Sequence, residues 1–288
     1  MKLLKSILVT GGAGFIGSHF VRRITKNYPN TKIVNLDLLT YAADLQNLDD
    51  ISNFPNYEFI YGDINNFNFI QDLFKSHNFD SVVHLAAESH VDNSIKDPFS
   101  FAQTNIQGTL NLLEAVRRHW GNNVQEKRFY HISTDEVYGS SINDYFDEQK
   151  ILNPSSPYSA SKASAEMICK AFIKTYGMNI NILRPANNYG IFQQPEKLIP
   201  YSIINLIKGN NIEIYGNGKN IRHWLHVQDT CDAIFKILVG NFENEIFNIG
   251  SGEYLSNLEI SELILENFDF DQDRLEFIED RPGHDFRY

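Results

Sequence analysis

A strand that runs into a glycine-rich turn and then into a helix restricts the fold of this chain more than any other feature. Ser6–Thr10 reads as a buried strand, and it leads into a G-x-x-G-x-x-G pattern at Gly11, Gly14 and Gly17, followed by a helix predicted over residues 15–28. The glycines permit a tight turn and a close approach of the backbone to a pyrophosphate, and free N–H groups at a helix start attract an anion. The pattern predicts a phosphate-binding turn.

A carboxylate follows this turn at the spacing that dinucleotide binding requires. Asp37 closes a second predicted strand, Lys32–Asp37, about 20 residues after the last glycine. A carboxylate there accepts hydrogen bonds from the adenosine ribose hydroxyls and repels a 2′-phosphate, and no Arg stands beside it. The sequence favours NAD over NADP. The alternative is a structural glycine turn with a capping Asp.

Strand and helix signals alternate along the following residues. The predicted strands cover residues 57–63, 81–86, 128–134 and 179–184, and the predicted helices cover residues 67–76, 99–120, 158–176 and, later, 257–268. This alternation is typical of a parallel sheet covered by helices on both faces. Ser81–Ala86, for example, is apolar almost throughout, as strands buried on both sides should be. We expect an α/β fold, a Rossmann-type doubly wound parallel sheet with a smaller C-terminal substrate lobe.

The length of 288 residues allows a large domain with a smaller lobe. After Pro185 the spacing of the signals becomes irregular. We therefore expect residues 1–185 to form the NAD-binding domain and residues 186–288 to form mainly the substrate lobe. The boundary is soft, because some of the later segments can return to the sheet.

Composition argues against several classes of partner. The formal net charge of -11 disfavours nucleic acid and anionic membranes. Residues 1–9 contain only a short apolar run, so we expect neither a signal peptide nor a transmembrane helix, and a cytoplasmic location. Cys169 and Cys231 lack metal-ligand spacing. We expect both to be small apolar filler in a reducing compartment, and we expect no metal site.

Polar side chains follow three of the predicted strands. Thr134, Asp135 and Glu136 end one strand, the residues 87–89 follow another, and residues 184–188 leave a third. In open α/β sheets the ligand lies beyond the carboxyl ends of the strands. We therefore expect these side chains to form a pocket. The alternative is that Asp135 and Glu136 only cap the next segment.

Tyr158 and Lys162 form the last chemical signal. Residues four apart share one face of a helix, so the ammonium can lower the pKa of the phenol and let the phenolate take a proton from a hydroxyl. Alone, such a pair is weak evidence, because a solvated Lys beside a half-buried Tyr arises often by chance. The glycine turn and the Thr-Asp-Glu triplet support the chemical interpretation.

Several segments resemble, in order, the motifs of the dTDP-glucose 4,6-dehydratases, within the extended short-chain dehydrogenase/reductase superfamily. They are GGAGFIGSH (11–19), LAAESHVD (85–92), STDEVYG (133–139), YSASKA (158–163), NNYG (187–190) with QQPEKLIP (193–200), YGNGKNIR (215–222) and RPGHDFRY (281–288). The glycine turn and the Tyr-Lys pair fit any member of the superfamily. The Thr-Asp-Glu triplet and the RPGHD segment are more selective.

The resemblance implies a role for each catalytic residue. Tyr158 takes the proton of the sugar 4-hydroxyl as hydride passes to NAD, Lys162 holds the nicotinamide ribose, and Thr134 hydrogen-bonds the same hydroxyl. Glu136 is the base at carbon 5, and Asp135, which must be protonated, gives a proton to the departing 6-hydroxyl. Repulsion and burial can drive the pKa values of two adjacent carboxyls apart. The product is dTDP-4-keto-6-deoxyglucose.

The resemblance also implies binding residues. For NAD they are Gly11, Gly14, Phe15, Ile16, Gly17, Asp37, Thr40, Asp63, Ile64, Ala86, Ala87, Thr104, Tyr158, Lys162 and Asn188. For dTDP-glucose they are Ser89, Thr134, Asn187, Lys197, Leu198, Arg222, Arg281 and His284. In so acidic a protein a diphosphate needs local cations, and arginine suits phosphate geometry. A surface salt bridge is the alternative for either arginine.

Other functions and some details stay open. An epimerase or decarboxylase of the same superfamily would share Tyr158 and Lys162 but would have no use for the two carboxyls, and a non-catalytic NAD-binding regulator would not need the catalytic set. Asn93, His223 and Glu253 differ from the usual family residues. The base of the nucleotide, the downstream pathway and the continuation of the chain beyond residue 288 stay undetermined.

The resemblance further implies a homodimer. Relatives pair the two helices that correspond here to residues 109–120 and 158–176. Apolar residues recur on both at helical spacing, at Leu110, Leu113 and Val116 and at Ala163, Met167 and Ala171. The alternative is that these residues form the stripe of each helix that faces the sheet.

Overall fold

A computed structural model describes residues 5–141, 145–280 and 282–287 of the chain. The strands are β1 (Ser6–Thr10), β2 (Lys32–Asp37), β3 (Tyr57–Tyr61), β4 (Ser81–His84), β5 (Arg128–Ile132), β6 (Ile180–Pro185), β7 (Asn187–Tyr189), β8 (Ile212–Tyr215), β9 (Ile221–His226), β10 (Ile246–Ile249), β11 (Tyr254–Ser256) and β12 (Leu275–Ile278). The α-helices are α1 (Phe15–Asn27), α2 (Phe67–Ser76), α3 (Val91–Lys96), α4 (Pro98–Phe101), α5 (Thr109–Trp120), α6 (Pro157–Tyr176), α7 (Leu198–Ile207), α8 (Val227–Val239) and α9 (Asn257–Asn267). Shorter 3₁₀ turns cover Leu45–Ile51, Gly121–Asn123, Asp135–Tyr138 and Gln272–Arg274.

Seven strands form one parallel sheet in the order β10-β6-β5-β4-β1-β2-β3. The winding reverses between β1 and β4, which is the order of a doubly wound Rossmann sheet. The predicted fold class is confirmed. Ligands of such sheets bind beyond the carboxyl ends of the strands at this reversal, so the topology places the site next to the glycine turn.

Alternation along each strand explains the two hydrophobic cores. On β1, Ile7 and Val9 pack in the core that includes residues of α1 and α8, whereas Leu8 packs in the core on the opposite face with residues of α2, α5 and α6. On β4, Val83 packs in the first of these cores and Val82 packs in the second. Successive strand side chains point to opposite faces, and both faces are covered by helices. The central strands therefore carry apolar residues on both faces rather than at every second position only.

The last hundred residues divide between the sheet and a separate lobe. β10 pairs with β6 in the large sheet, and α8 packs against α1. The remaining strands form a three-stranded sheet, β11-β9-β7, and a parallel pair, β8 and β12. Leu206, Ile212, Trp224 and Ile264 belong to a third core in this lobe. The chain therefore returns to the sheet once after it has begun the lobe.

The sheet strands differ from the predicted ones mainly at their ends. β3, β4 and β5 each end two residues earlier than predicted, because the pairing stops where the chain turns away from the sheet. The predicted helix over 99–120 begins at Pro98 and contains a π-helical segment, Ala102–Gly108, between α4 and α5. A π-turn holds one extra residue, and it is frequent at functional sites.

Within the described ranges, no helix is long and apolar enough to cross a membrane.

Candidate active site

A groove of about 370 Å³ lies at the carboxyl ends of the sheet strands. The predicted site residues that line it are Gly11, Gly14, Phe15, Ile16, Gly17, Asp37, Thr40, Asp63, Ile64, Ala86, Ala87, Ser89, Thr104, Thr134, Glu136, Tyr158, Lys162, Asn187, Asn188, Lys197 and Leu198. Asp135, Arg222 and His284 are not among its lining residues. Arg281 lies outside the described residues. The structure therefore brings most of the predicted residues together along one groove.

The glycine turn leaves room and hydrogen-bond donors for an anion. A Cβ on Gly17 would overlap the carbonyl oxygen of Gly11 and lie 2.7 Å from Gly12 Cα, so only glycine lets α1 sit this close to the turn. Gly14 is the N-cap of α1, and no side chain caps this helix start. The first N–H groups of a helix have no partner within the helix. A pyrophosphate fits this position by charge and by hydrogen bonding.

Asp37 is held at the end of β2 by two main-chain groups. Its carboxylate accepts hydrogen bonds from Ala13 N and Leu39 N, each at 2.9 Å. Burial raises the pKa of Asp37, and the N–H groups oppose this rise. The side chain also lines the groove, where its oxygens have further lone pairs. This geometry suits the two hydroxyls of an adenosine ribose.

Helix α6 carries Tyr158 and Lys162 in its first two turns. Ser156 caps the helix start with a reciprocal pair of hydrogen bonds to Ser159, and Pro157 occupies the first turn, where its missing N–H costs nothing. Lys162 Nζ donates to the main-chain oxygen of Ile132 at 2.5 Å. Burial lowers the pKa of Lys162 to about 8. The capped helix start therefore fixes both side chains at the end of β5.

The pKa of the phenol differs from the value that the sequence led us to expect. Burial raises the pKa of Tyr158, the negative charge of Glu136 raises it further, and a hydrogen bond with Thr134 opposes the rise. The expected lowering by Lys162 is not seen. The reason is that burial dominates at this position, and that the ammonium donates to the carbonyl oxygen of Ile132.

The Thr-Asp-Glu triplet forms a short turn after β5. Thr134 caps the 3₁₀ turn Asp135–Tyr138 by accepting a hydrogen bond from Glu136 N at 3.2 Å. Burial and the charge of Glu136 raise the pKa of Asp135 to about 8, against the opposing effects of Arg222 and of a hydrogen bond with Thr134. Asp135 is therefore protonated at neutral pH. The turn places a carboxylic acid beside a second carboxyl group, which lines the groove.

A loop after β7 closes over one side of the groove. Gln194 Nε2 donates to Ala42 O at 2.6 Å, and Lys197 Nζ donates to Ser89 O at 3.2 Å. Gln193 Nε2 donates to Asn188 O at 2.7 Å. Two of these contacts join the loop to Ala42 and Ser89, which also line the groove. The cation Lys197 is part of the same lining.

Arg222 and His284 bind other parts of the protein. The buried guanidinium of Arg222 donates to the main-chain oxygens of Ile221 at 2.8 Å and of Asp285 at 3.0 Å. His284 Nδ1 lies 2.7 Å from Asp280 Oδ1. Arg222 nonetheless acts on the site, since its charge opposes the rise in the pKa of Asp135.

The three residues that depart from the family pattern have distinct surroundings. His223 stacks on Tyr254 with ring centroids 4.5 Å apart, and its Nε2 accepts a hydrogen bond from Gly252 N at 2.5 Å. Asn93 hydrogen-bonds Tyr41. The side chain of Glu253 is exposed and does not line the groove, so it adds no carboxylate to the pocket.

Asn105 is a site residue that sequence reasoning did not find. It is buried in the π-helical segment, accepts from Glu88 N at 2.9 Å, and donates to Glu88 O at 3.0 Å and to Ser161 Oγ at 2.8 Å. It therefore joins the loop after β4 to the face of α6 between Tyr158 and Lys162. A polar Asn in the interior of the predicted helix 99–120 is the feature of the sequence that could have indicated it. Its partners can be identified only from the fold.

Comparison with known proteins gives the same picture over the whole chain. The profile of the family described as GDP-mannose 4,6 dehydratase matches residues 8–278. The chain is 45% identical over 286 residues to dTDP-glucose 4,6-dehydratase of Streptomyces niveus, covering 98% of this chain and 83% of the relative, and 42% identical over 310 residues to that of Escherichia coli, covering 98% and 84%. DesIV, a dTDP-glucose 4,6-dehydratase of Streptomyces venezuelae solved with NAD bound, superposes with a TM-score of 0.93 at 42% identity, covering 98% of this chain and 87% of that chain.

The doubly wound sheet, the glycine turn, Asp37 and the Tyr158–Lys162 pair define an enzyme of the extended short-chain dehydrogenase/reductase class. The two adjacent carboxyl groups of Asp135 and Glu136 are of the kind that an enzyme needs to move protons at carbons next to an oxidised one. The chain belongs to the family of nucleotide-sugar 4,6-dehydratases, and within it to the dTDP-glucose 4,6-dehydratases.

Proposed function

We propose that this chain converts dTDP-glucose to dTDP-4-keto-6-deoxyglucose with NAD as its cofactor, and is thus a hydro-lyase. One structural observation carries the proposal: Asp135, with its pKa raised to about 8, stands beside Glu136 on a turn next to Tyr158. An elimination at neutral pH needs a protonated side chain that acts on the leaving hydroxyl and an ionised side chain that takes a proton from the neighbouring carbon of the substrate. Family membership and the NAD-bound structure of DesIV support the same reaction.

The reaction begins at the 4-hydroxyl of the sugar. Tyr158 takes the hydroxyl proton, and Thr134, which hydrogen-bonds Tyr158, also bonds this hydroxyl and orients it. NAD, when bound, accepts the hydride of carbon 4 and later returns it to carbon 6. Because burial and Glu136 raise the pKa of Tyr158 in this structure, its action as a base would require added positive charge, which Lys162 and bound NAD would supply.

The elimination uses the two carboxyl groups. The 4-keto group acidifies the hydrogen on carbon 5, which Glu136 removes, while Asp135 gives its proton to the departing 6-hydroxyl. For Asp135 this role requires its side chain to turn toward the substrate, because it does not line the groove in this structure. A proton then returns to carbon 5 from the same wall of the site. Asp135 begins each turnover protonated because of its burial and of the neighbouring carboxylate.

NAD fits the chain on structural grounds. The uncapped start of α1 would hold the pyrophosphate, Asp37 would hold the adenosine ribose, and Lys162 would hold the nicotinamide ribose. We assign the remaining predicted cofactor contacts to the groove residues Phe15, Ile16, Thr40, Asp63, Ile64, Ala86, Ala87, Thr104 and Asn188.

We assign the sugar nucleotide to the groove residues Ser89, Asn187, Lys197 and Leu198. Lys197 would supply a cation for the diphosphate. Arg222, Arg281 and His284 complete the proposed substrate set. For Arg222 this role requires a change of partners, because its guanidinium bonds Ile221 O and Asp285 O. We propose the division at residue 185 as a functional one: the proposed cofactor residues lie before it except Asn188, and most of the proposed substrate residues lie after it.

We also propose that the enzyme is a cytoplasmic homodimer. Leu113 and Val116 are buried in the core and face the sheet, but Met167 on α6 is 47% exposed and Phe99 at the start of α4 is 84% exposed. Exposed apolar side chains on neighbouring helices support a contact between two copies. The buried free thiols of Cys169 and Cys231 are compatible with a reducing compartment.

The test is direct. Protein, NAD and dTDP-glucose deuterated at carbon 4 are mixed, and the product is examined by its alkaline absorbance and by NMR. We expect a 4-keto sugar that carries the deuterium in its new methyl group. An epimerase would instead return the deuterium to carbon 4, and loss of the label to solvent would contradict the internal hydride transfer.

A further inference from the structure

A buried ion pair joins helix α6 to strand β6. Glu166 on α6 and Arg184 on β6 have no solvent-exposed side-chain surface. Arg184 donates twice to the carboxylate, from Nε to Oε1 at 2.9 Å and from Nη2 to Oε2 at 2.5 Å. Burying two charges carries a desolvation cost that can exceed their attraction. A pair of this kind is therefore weak evidence for stability, and its other contacts must be considered.

Those contacts converge on both ends of one segment. Ser133 Oγ donates to Glu166 Oε1 at 2.6 Å, and Arg184 Nη1 donates to the Tyr138 hydroxyl at 2.5 Å. The guanidinium of Arg184 also lies over the ring of Tyr138, 4.7 Å from its centroid. Ser133 comes directly before the proposed catalytic residues 134–136, and Tyr138 is the last residue of the 3₁₀ turn that contains two of them. We call the segment 134–138 the catalytic turn. The ion pair thus contacts the chain on both sides of the proposed catalytic residues.

The same carboxylate acts on the catalytic lysine. Glu166 follows Lys162 by one helical turn, and its charge opposes the effect of burial on the pKa of Lys162. The other groups that interact with Lys162 are Cys169 on α6, His84 on β4 and His131 on β5. Burial lowers the pKa of both imidazoles, that of His84 to about 3, so they add no positive charge at neutral pH.

We propose that Glu166 and Arg184 are positioning residues, which hold the segment Ser133–Tyr138 against α6 so that the acid–base turn and the Tyr158–Lys162 pair keep one relative geometry. This inference rests on the proposed dehydration. Neither residue lines the groove, so their effect is exerted through Ser133, Tyr138 and Lys162. A displacement of about 1 Å at a reacting group can cost about 100-fold in rate.

The first test removes the two connections and keeps the ion pair. Ser133→Ala and Tyr138→Phe each delete one hydroxyl. We expect kcat to fall about 10-fold in each variant and about 100-fold in the double variant, with KM changed by less than about 3-fold. The matched control is Tyr130→Phe, which deletes a buried hydroxyl that bonds Leu238 O at 3.2 Å on the other face of the sheet. Its kcat should be unchanged. A double variant with the kcat of the unaltered enzyme would overturn the proposal.

The second test needs no turnover. In protein labelled with ¹³C at lysine, the Lys162 Cε signal is titrated with pH with NAD present, and it is assigned by its loss in Lys162→Arg. Glu166→Gln should move this titration to lower pH by about one unit or more, whereas Glu58→Gln, which removes an exposed carboxylate paired with Lys32 at 2.7 Å, should not move it. If Glu166→Gln folds and the Lys162 titration stays at the same pH, the proposed effect of Glu166 on the pKa of Lys162 is wrong.

The two tests separate the possible failures. If the unaltered enzyme and Tyr130→Phe form no product, the proposed function is wrong, and the titration alone decides whether Glu166 acts on Lys162. If Glu166→Gln does not fold because Arg184 is left without a counter-charge, the hydroxyl variants decide whether the pair positions the turn.

Discussion

Lys162 Nζ donates a hydrogen bond of 2.5 Å to the main-chain oxygen of Ile132, which joins helix α6 to the last residue of strand β5. The catalytic turn begins two residues after Ile132. The bond therefore links the helix that carries the proposed base, Tyr158, to the strand that leads into the proposed acid–base residues.

Removing the proton donor should separate the two halves of the reaction. Asp135→Asn should preserve oxidation at carbon 4 and slow water loss by about 100-fold or more, because an amide cannot give a proton to the 6-hydroxyl. Rapid-mixing absorbance at 340 nm should show NADH accumulating. Asp72→Asn, an exposed aspartate paired with Lys75, is the control. Equal loss of oxidation and elimination would contradict the role of Asp135.

The rate should fall steeply above pH 8. Both Asp135 and Lys162 have a pKa of about 8 and must be protonated to act. As the pH rises through this value both protons are lost, so log kcat should decline with a slope of about two. The oxidation step of Asp135→Asn should depend on Lys162 alone and decline with a slope of about one. A slope of one in the unaltered enzyme would show that only one of the groups controls the rate.

Asp37 should determine cofactor affinity. Asp37→Asn keeps an oxygen for one of the two main-chain donors but loses the negative charge that the ribose hydroxyls require. We expect NAD to bind about 10- to 100-fold more weakly, since hydrogen bonds to charged groups contribute about 1.5–3 kcal/mol. Isothermal titration measures this. If Asp37→Asn binds NAD as tightly as the unaltered protein, Asp37 does not bind the adenosine ribose.

Two glycines of the turn should respond differently to the same added methyl group. Gly17→Ala meets main-chain atoms that cannot move without shifting α1, and overpacking of this kind costs about 1–3 kcal/mol. Gly14→Ala meets the Gly11 oxygen at 3.3 Å and the Ala42 oxygen at 3.8 Å, so its cost should be much smaller. Urea unfolding without NAD compares them. Equal stability of both variants would contradict the close packing at Gly17.

The association state can be tested on the exposed face of α6. Met167→Glu should convert a dimer to a monomer at micromolar concentration, as measured by sedimentation, because it places a charge in an apolar contact. Ile207→Glu on α7, where the side chain is 72% exposed, is the control. If the unaltered protein sediments as a monomer at this concentration, the proposed homodimer is wrong.

Much of the fold follows from local sequence patterns. The apolar strands, the glycine turn and the spacing to Asp37 predict a doubly wound sheet, because each of these patterns depends on neighbouring residues. The ends of β3, β4 and β5 were predicted two residues too late, because pairing stops where the chain leaves the sheet. The π-helical segment also had no local signal.

The sequence by itself determined which residues we propose for the chemistry, since Thr134, Asp135, Glu136, Tyr158 and Lys162 are found from their side-chain types, their spacing and the resemblance of their segments to the family motifs. Only the tertiary structure decided their protonation and support. Burial protonates Asp135 and raises the pKa of Tyr158, and Arg184 and Glu166 reach the catalytic turn from other elements of the sheet and its covering helices. Desolvation and long-range hydrogen bonds depend on which distant segments meet, and no local pattern contains that information.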